Sequence, residues 1–382
     1  AGAGTFPADE TPEKSLLDDG ADAPPPATPA AAPATITETP EQAAARQRRE
    51  ALKRQREIAH RCESQYREAG QAWRAAWDKV LDHPASARAE AETLAQGLLE
   101  KMLVEGELCI RVLNAAAGDR PTAHAMNVAV VSMLMGRTFG LGEEEMLDLG
   151  VGAMLHDVGK LELPERLRHA DERFGSAEIE RYREHVALGV EQARRLELSA
   201  GATLVIAQHH ECADGSGFPL KLSGERMAAA ARIVALVNRF DNLCNPPQLS
   251  RALTPHEALS TMFAQSRSKF DATMLNAFIR MMGVYPAGSV VQLTDDRYAL
   301  VISVNSTRPL KPRVLVHDPA VPRDEALYLD LETAPDLGIR RSIRAAQLPP
   351  VALDYLAPRP RVAYFFEAAA KVPPLDPEET LA

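Results

Sequence analysis

From Pro40 onward the chain alternates polar and apolar positions in steps of three and four. In EQAAARQRREALKRQREIAHRCESQYREAGQAWRAAWDKVL the less polar positions are Ala59, Cys62, Tyr66, Ala69, Trp73, Ala76 and Val80, a spacing that predicts one helix with a single apolar seam. The seam serves either packing on the chain's own domain or a parallel dimer coil. Trp73 and Trp77, four residues apart, read as one packed face. After His83 and Pro84 a second helical pattern begins, with Leu94, Leu98, Met102 and Leu103 on one side. To about residue 284 the pattern is helix after helix, broken at AAGDRPT and TFGLGEEE. Beyond Tyr285 the segments GSVVQL, YALVISV, PRVLVHD and ALYLDLE are short, rich in Val, Ile and Leu, and punctuated by turn residues, as strands are. The fold class expected is mainly α: a helical bundle core with an N-terminal helical extension and a small C-terminal β appendage. The boundaries fall at 1–40 for a disordered Ala/Pro-rich leader, 41–104 for the N-terminal helical region, 105–285 for the helical core, 286–367 for the β-rich appendage and 368–382 for a tail.

Composition narrows the function classes. A chain of 382 residues that is 46% hydrophobic can bury a sizeable core, whereas the leader ADAPPPATPAAAPATITETP lacks the large apolar residues that would offset its chain entropy. The net charge of −10 argues against a DNA or RNA coat, and glutamates interrupt the basic run RQRREALKRQRE. Four cysteines, Cys62, Cys109, Cys212 and Cys244, have no CxxC pairing, which suits reduced thiols rather than a zinc ribbon or a disulfide framework. No apolar run is long enough to span a bilayer and no secretory layout opens the chain. A cytoplasmic protein without a membrane partner is expected.

The candidate chemistry lies in histidines at the ends of apolar helical segments. His124 lies in PTAHAMNVAVVSMLMG, His156 and Asp157 in AMLHDVGKLELP, His185 in YREHVALGV, and His209 and His210 in VIAQHHECADGSGFP. One such histidine is usually a core residue; five with an aspartate, on successive helices, point to a metal centre, because cations let neutral imidazoles cluster. The nitrogen and carboxylate set suits Fe, Mn or Zn better than Mg or Ca. Adjacent side chains on a helix diverge by roughly a hundred degrees, so at a two-metal site His156 can hold one ion while the Asp157 carboxylate bridges both. Gly159 permits close backbone approach, and Lys160 is placed to meet an anion. His60, His83, His169, His256 and His317 fall outside this constellation and read as surface or capping residues.

The order His124, HDVGK at 156–160, His185 and HHECADGSGFP at 209–219 resembles the HD-GYP family, a branch of the HD metal-dependent phosphohydrolases. The likeness covers roughly residues 105–285, and YPAGSVVQL resembles the β tail of a subset of that family. The resemblance implies a cyclic di-GMP phosphodiesterase that opens the cyclic dinucleotide to pGpG and often onward to GMP, in bacterial second-messenger signalling. It further implies two divalent metal ions, Fe or Mn, on His124, His156, Asp157, His185, His209 and His210. Asp157 and Lys160 would be catalytic, with Lys160, Gly215 and Gly217 at the substrate.

Departures from the family pattern qualify this. Phe218 stands where the family has tyrosine. Asn238 stands where it has a metal-binding aspartate, with Asp241 one turn on as either a substitute ligand or a structural partner. Arg120 stands where some members have a glutamate, which favours two metals over three. An Arg-Pro-Tyr-Arg run is missing, leaving Arg251 as its replacement. The second reading is therefore a protein of this fold that binds cyclic di-GMP, or a diguanylate cyclase partner, without hydrolysis; a homodimer through the N-terminal helix is a further expected partner.

Overall fold

The computed structural model describes residues 39–103, 107–114, 119–169, 171 and 173–369. Most of the expected leader, 1–38, and the tail from 370 lie outside the described residues. The chain divides into a short unit through Gln47 and a main unit from Arg48. In the short unit Thr39 and Gln42 cap the start of α1 (Pro40–Lys79) reciprocally, the Gln42 amide N–H donating to Thr39 Oγ1 (3.3 Å) and the Thr39 N–H to Gln42 Oε1 (3.0 Å). This is the capping box spelled by TPEQ.

In the main unit the helices begin where the sequence supplies acceptors for unpaired N–H groups. After α2 (Pro84–Met102) and a short strand β1 (Leu108–Val112), Asp119 caps α3 (Arg120–Thr138) by accepting from the Thr122 N–H at 2.9 Å. α4 (Glu143–Leu155) opens on three glutamates, which favour the positive end of the helix dipole. There follow α5 (Ser176–Arg183), α6 (His185–Arg195), α7 (Ala200–Gln208), α8 (Ala229–Cys244), α9 (Pro255–Gln265) and α10 (Ala272–Met282). Every residue of α3 from Thr122 to Gly136 is buried, because α4 and α8 pack on it and it is apolar nearly all round. That central helix carries His124 into the interior.

The apolar seam of α1 is used within the chain. Cys62, Tyr66, Ala69, Trp73 and Val80 join the same core as α3 and α4. Cys62 Sγ approaches Phe366 O at 3.7 Å and Trp73 Nε1 donates to Met154 O at 3.0 Å. These positions of the seam are thus packed on the chain's own domain.

The sheet is less of an appendage than its sequence suggests. After β2 (Val290–Leu293), β3 (Tyr298–Asn305), β4 (Arg313–Val316), β5 (Leu329–Asp330), β6 (Ile339–Ile343) and α11 (Pro350–Leu356), the strand β7 (Tyr364–Ala368) completes it. β1, inside the segment expected to be helical, lies between β3 and β7, antiparallel to both, with Ile110 opposite Val304 on one side and Phe366 on the other. LCIRV is too short for periodicity to separate strand from helix. Arg111 on β1 forms a buried ion pair with Glu367 on β7 at 2.8 Å. All four cysteines are free thiols, and no described helix is long and apolar enough to cross a membrane.

Candidate metal centre

Helix ends bring the histidines together. His156 follows the last turn of α4, His209 follows α7, and His185 starts α6 just after α5. The last carbonyls of a helix have no N–H partner of their own, and each of these imidazoles takes one. His156 Nδ1 lies 2.7 Å from Ala153 O, His185 Nδ1 2.6 Å from Tyr182 O, and His209 Nδ1 2.8 Å from Ile206 O. A carbonyl only accepts, so Nδ1 carries the proton and Nε2 is left with its lone pair. His124 follows the same logic with a carboxylate, its Nδ1 donating to Asp241 Oδ2 at 2.6 Å.

The four lone pairs then face one another. His124 Nε2 and His156 Nε2 are 3.1 Å apart, and His185 Nε2 and His209 Nε2 are 3.4 Å apart. Asp157 lies between these pairs: Oδ2 is 3.7 Å from His124 Nε2 and 3.5 Å from His156 Nε2, while Oδ1 is 3.7 Å from both His185 Nε2 and His209 Nε2. Two donor groups result, His124 with His156 and Asp157, and His185 with His209, His210 and Asp157; within each the ligand atoms lie within 4.8 Å of one another. Asp157 Oδ1 and His210 Nε2 are buried without a hydrogen-bond partner. Facing acceptors with no proton between them, beside orphaned buried acceptors, are costly unless a cation satisfies them. The residues fit two divalent ions sharing Asp157, and the nitrogen-rich set fits Fe, Mn or Zn.

Electrostatics keep the donors in the required protonation states. Burial pushes His156 and His185 down to about 4 and holds His209 and His210 well below the usual imidazole range, so all four are neutral at neutral pH. Burial opposes charge on Asp157, but Lys160 and the surrounding imidazoles hold its carboxyl well below the usual carboxylate range. Burial likewise opposes charge on Lys160, yet Asp157 and Tyr182 together outweigh it and raise the ammonium's pKa. Lys160 Nζ donates to Asp157 Oδ2 at 2.6 Å and so stays cationic beside the centre. Gly159 makes this packing possible: a Cβ there would lie 2.0 Å from His185 O and 2.3 Å from Gly189 N.

The remaining predicted residues divide. Asp241 sits behind His124 with its other oxygen accepting from Asn127 Nδ2 (2.7 Å) and Asn245 Nδ2 (2.8 Å); a carboxylate so placed fixes the imidazole. Asn238 lines a cavity with His209 and His210, but its Oδ1 accepts from Asn242 Nδ2 at 2.6 Å. Phe218 stacks on His210 (4.6 Å between centroids, 20° between planes), a contact that needs the ring and no hydroxyl. Gly217 lines the same cavity, whereas Gly215 serves the loop backbone with φ +75°. Arg251 is exposed on the turn Leu249–Arg251 and lines neither cavity beside the centre.

Sequence reasoning missed several participants. Glu211 is buried and its two oxygens accept from the Leu220 and Leu222 N–H groups (2.7 and 2.9 Å), pinning the loop that carries Phe218; its place directly after the histidine pair was the available signal. Arg120 and His169 line both cavities, with Arg120 Nη1 3.1 Å from His169 Nδ1. His169 is exposed and outside the ligand groups, as expected, yet it lies at the site's edge.

Residues 109–274 match the model of the HD domain family. Over 233 residues the chain is 26% identical to a cyclic di-GMP phosphodiesterase of Pseudomonas aeruginosa, covering 60% of this chain and 55% of that one. It is 33% identical over 155 residues to the cyclic di-GMP phosphodiesterase response regulator RpfG of Xanthomonas campestris pv. campestris, covering 39% and 40% respectively. A 3'3'-cGAMP-specific phosphodiesterase of Vibrio cholerae is 30% identical over 177 residues, covering 45% and 34%. The chain spans about half the length, or less, of these relatives.

Proposed function

We propose, from the premise that residues 109–274 of this chain are an HD domain homologous to those of HD-GYP cyclic di-GMP phosphodiesterases, that the protein is a metal-dependent phosphodiesterase of cyclic dinucleotides. Cyclic di-GMP is the proposed substrate and linear pGpG the first product. The observation that carries this is the pair of facing Nε2 couples sharing Asp157, with Lys160 beside them.

His124, His156 and Asp157 would hold one ion, and Asp157, His185, His209 and His210 the other. Divalent ions in such a position lower the pKa of water and offset charge on phosphate oxygens. The chain's own residues supply the rest. The helix-end carbonyls and Asp241 fix the imidazole tautomers, so the donor atoms need no reorganisation. Lys160 stays protonated and offers N–H donors to a nonbridging phosphate oxygen as negative charge grows there. Arg120, on the wall common to both cavities, places a further fixed cation at the edge of the site, away from the reacting phosphate.

One observation supports the alternative of binding without turnover: Asn238 brings no negative charge, and its amide oxygen is already engaged by Asn242. Incubating the purified chain with Mn or Fe and cyclic di-GMP decides between them. Conversion to pGpG, lost in Asp157→Ala and His156→Ala, is expected; binding without product in a chain shown to hold its metals would instead establish the second reading.

A further inference from the structure

A cavity of about 490 Å³ opens on the His124 and His156 side of the centre, a size typical of small-ligand sites. Its far wall is α1, through Trp73 and Trp77, whose indoles stack with centroids 4.9 Å apart and planes 28° apart. Trp73 is fully buried and anchored by its bond to Met154 O, so it backs Trp77, which stays half-exposed at the cavity. The two indoles form the single packed face expected, with Trp77 only partly covered.

The cations of this cavity fall into two kinds. Arg74 is paired with Asp119, and Arg166 with Glu178. Arg120 and Arg168 have neutral partners: Arg120 bonds Asn245 O (3.3 Å) and His169 Nδ1 (3.1 Å), and Arg168 bonds Leu163 O (3.1 Å) and Leu161 O (3.3 Å). No ion-paired carboxylate for either is found among the described residues. Two half-buried guanidiniums with no carboxylate in direct contact favour an anion, and phosphate suits their forked donors. A cyclic dinucleotide carries two phosphodiesters and two bases. When one phosphodiester sits at Asp157 and Lys160, the other needs its own cations and its neighbouring base a flat apolar surface.

We infer that this cavity seats the half of a cyclic dinucleotide that is not being cleaved, its base on Trp77 and its phosphate on Arg120 and Arg168. The inference rests on the substrate class proposed above and adds the N-terminal helix to the substrate site. Trp77, Arg120 and Arg168 act as binding and positioning residues, outside the reacting atoms.

Trp73 and Trp77 are the chain's two tryptophans, so indole fluorescence reports on this cavity alone. Titrating the metal-loaded full chain with cyclic di-GMP is expected to quench that fluorescence saturably. Trp77→Ala weakens the affinity about ten-fold, as loss of one base-stacking platform does, and Trp77→Phe restores most of it. Arg168→Gln, which leaves the indoles in place, also lowers affinity about ten-fold. In turnover, both Trp77→Ala and Arg168→Gln lower the ratio of kcat/KM for cyclic di-GMP to that for bis(p-nitrophenyl) phosphate, a diester with no second nucleotide. A wild-type chain that neither binds nor cleaves cyclic dinucleotides overturns the proposed substrate class and this inference with it. A normal wild type with variants of unchanged affinity, or with both substrates slowed in parallel, overturns this inference alone.

Discussion

Two buried clusters of ionisable side chains among the described residues are built oppositely. Between β1 and β7, Arg111 and Glu367 satisfy each other at 2.8 Å, with Arg313 3.7 Å from the second Glu367 oxygen and the Tyr328 ring near the guanidinium. Nothing there faces an unanswered group. Around Asp157 the Nδ1 atoms of His156, His185 and His209 are held by carbonyls and that of His124 by Asp241, while the inward Nε2 atoms and Asp157 Oδ1 confront only other acceptors or none. Charge burial by itself is thus no sign of function. What marks the second place is convergence of acceptors whose mutual repulsion only a cation relieves.

That contrast can be broken in graded steps. The largest effect is expected at the shared carboxylate: Asp157→Asn removes the bridging charge and should lower kcat for cyclic di-GMP by at least ~10³-fold, with secondary structure by circular dichroism retained. At the sheet, Arg111→Ala leaves the buried Glu367 charge with only the longer contact to Arg313 and should cost about 3 kcal/mol of stability in denaturant unfolding. The same denaturant series on metal-free Asp157→Asn should show a smaller loss, since the variant strands the Lys160 ammonium but offers an amide N–H to the facing Nε2 acceptors. Asp241→Asn keeps the shape behind His124 but loses the charge that orients it, and should weaken metal affinity about 10–100-fold in chelator competition.

The smallest effect concerns pH. In metal-stripped protein, burial holds His156 and His185 at about 4 against an ordinary 6.5. Between those values the unfolded chain takes up protons that the folded chain refuses, so stability falls as pH drops from 6.5 towards 4 and is unaffected above 6.5. The melting temperature of the stripped chain should be lower at pH 5 than at pH 7.5; an equal or higher value at pH 5 would contradict neutral buried imidazoles.

The sequence made the helical core and the convergence of His124, His156, Asp157, His185, His209 and His210 legible, because one residue type recurs at apolar helix ends where little else explains it. It concealed features that depend on distant partners. β1 gains its identity only by lying between β3 and β7, nearly two hundred residues or more away in the chain. The destination of the α1 seam depended on whether this chain or another covered it, and spacing is the same in both cases. Trp77 and Arg168 look like ordinary helix-face and surface residues until α1 and the turn after Lys160 are brought to one cavity. Asp241 carried two readings, ligand or structural partner, and only its bonds to His124, Asn127 and Asn245 show which groups it serves.

The central claim is that the facing imidazoles exist to hold two cations on one carboxylate. Elemental analysis of the purified chain, set beside Asp157→Asn prepared identically, tests it most directly. Two equivalents of Fe or Mn per chain, falling to one or fewer in the variant, are expected. A folded wild-type chain that holds no transition metal after incubation with either ion, and whose melting temperature is the same with and without chelator, would contradict it.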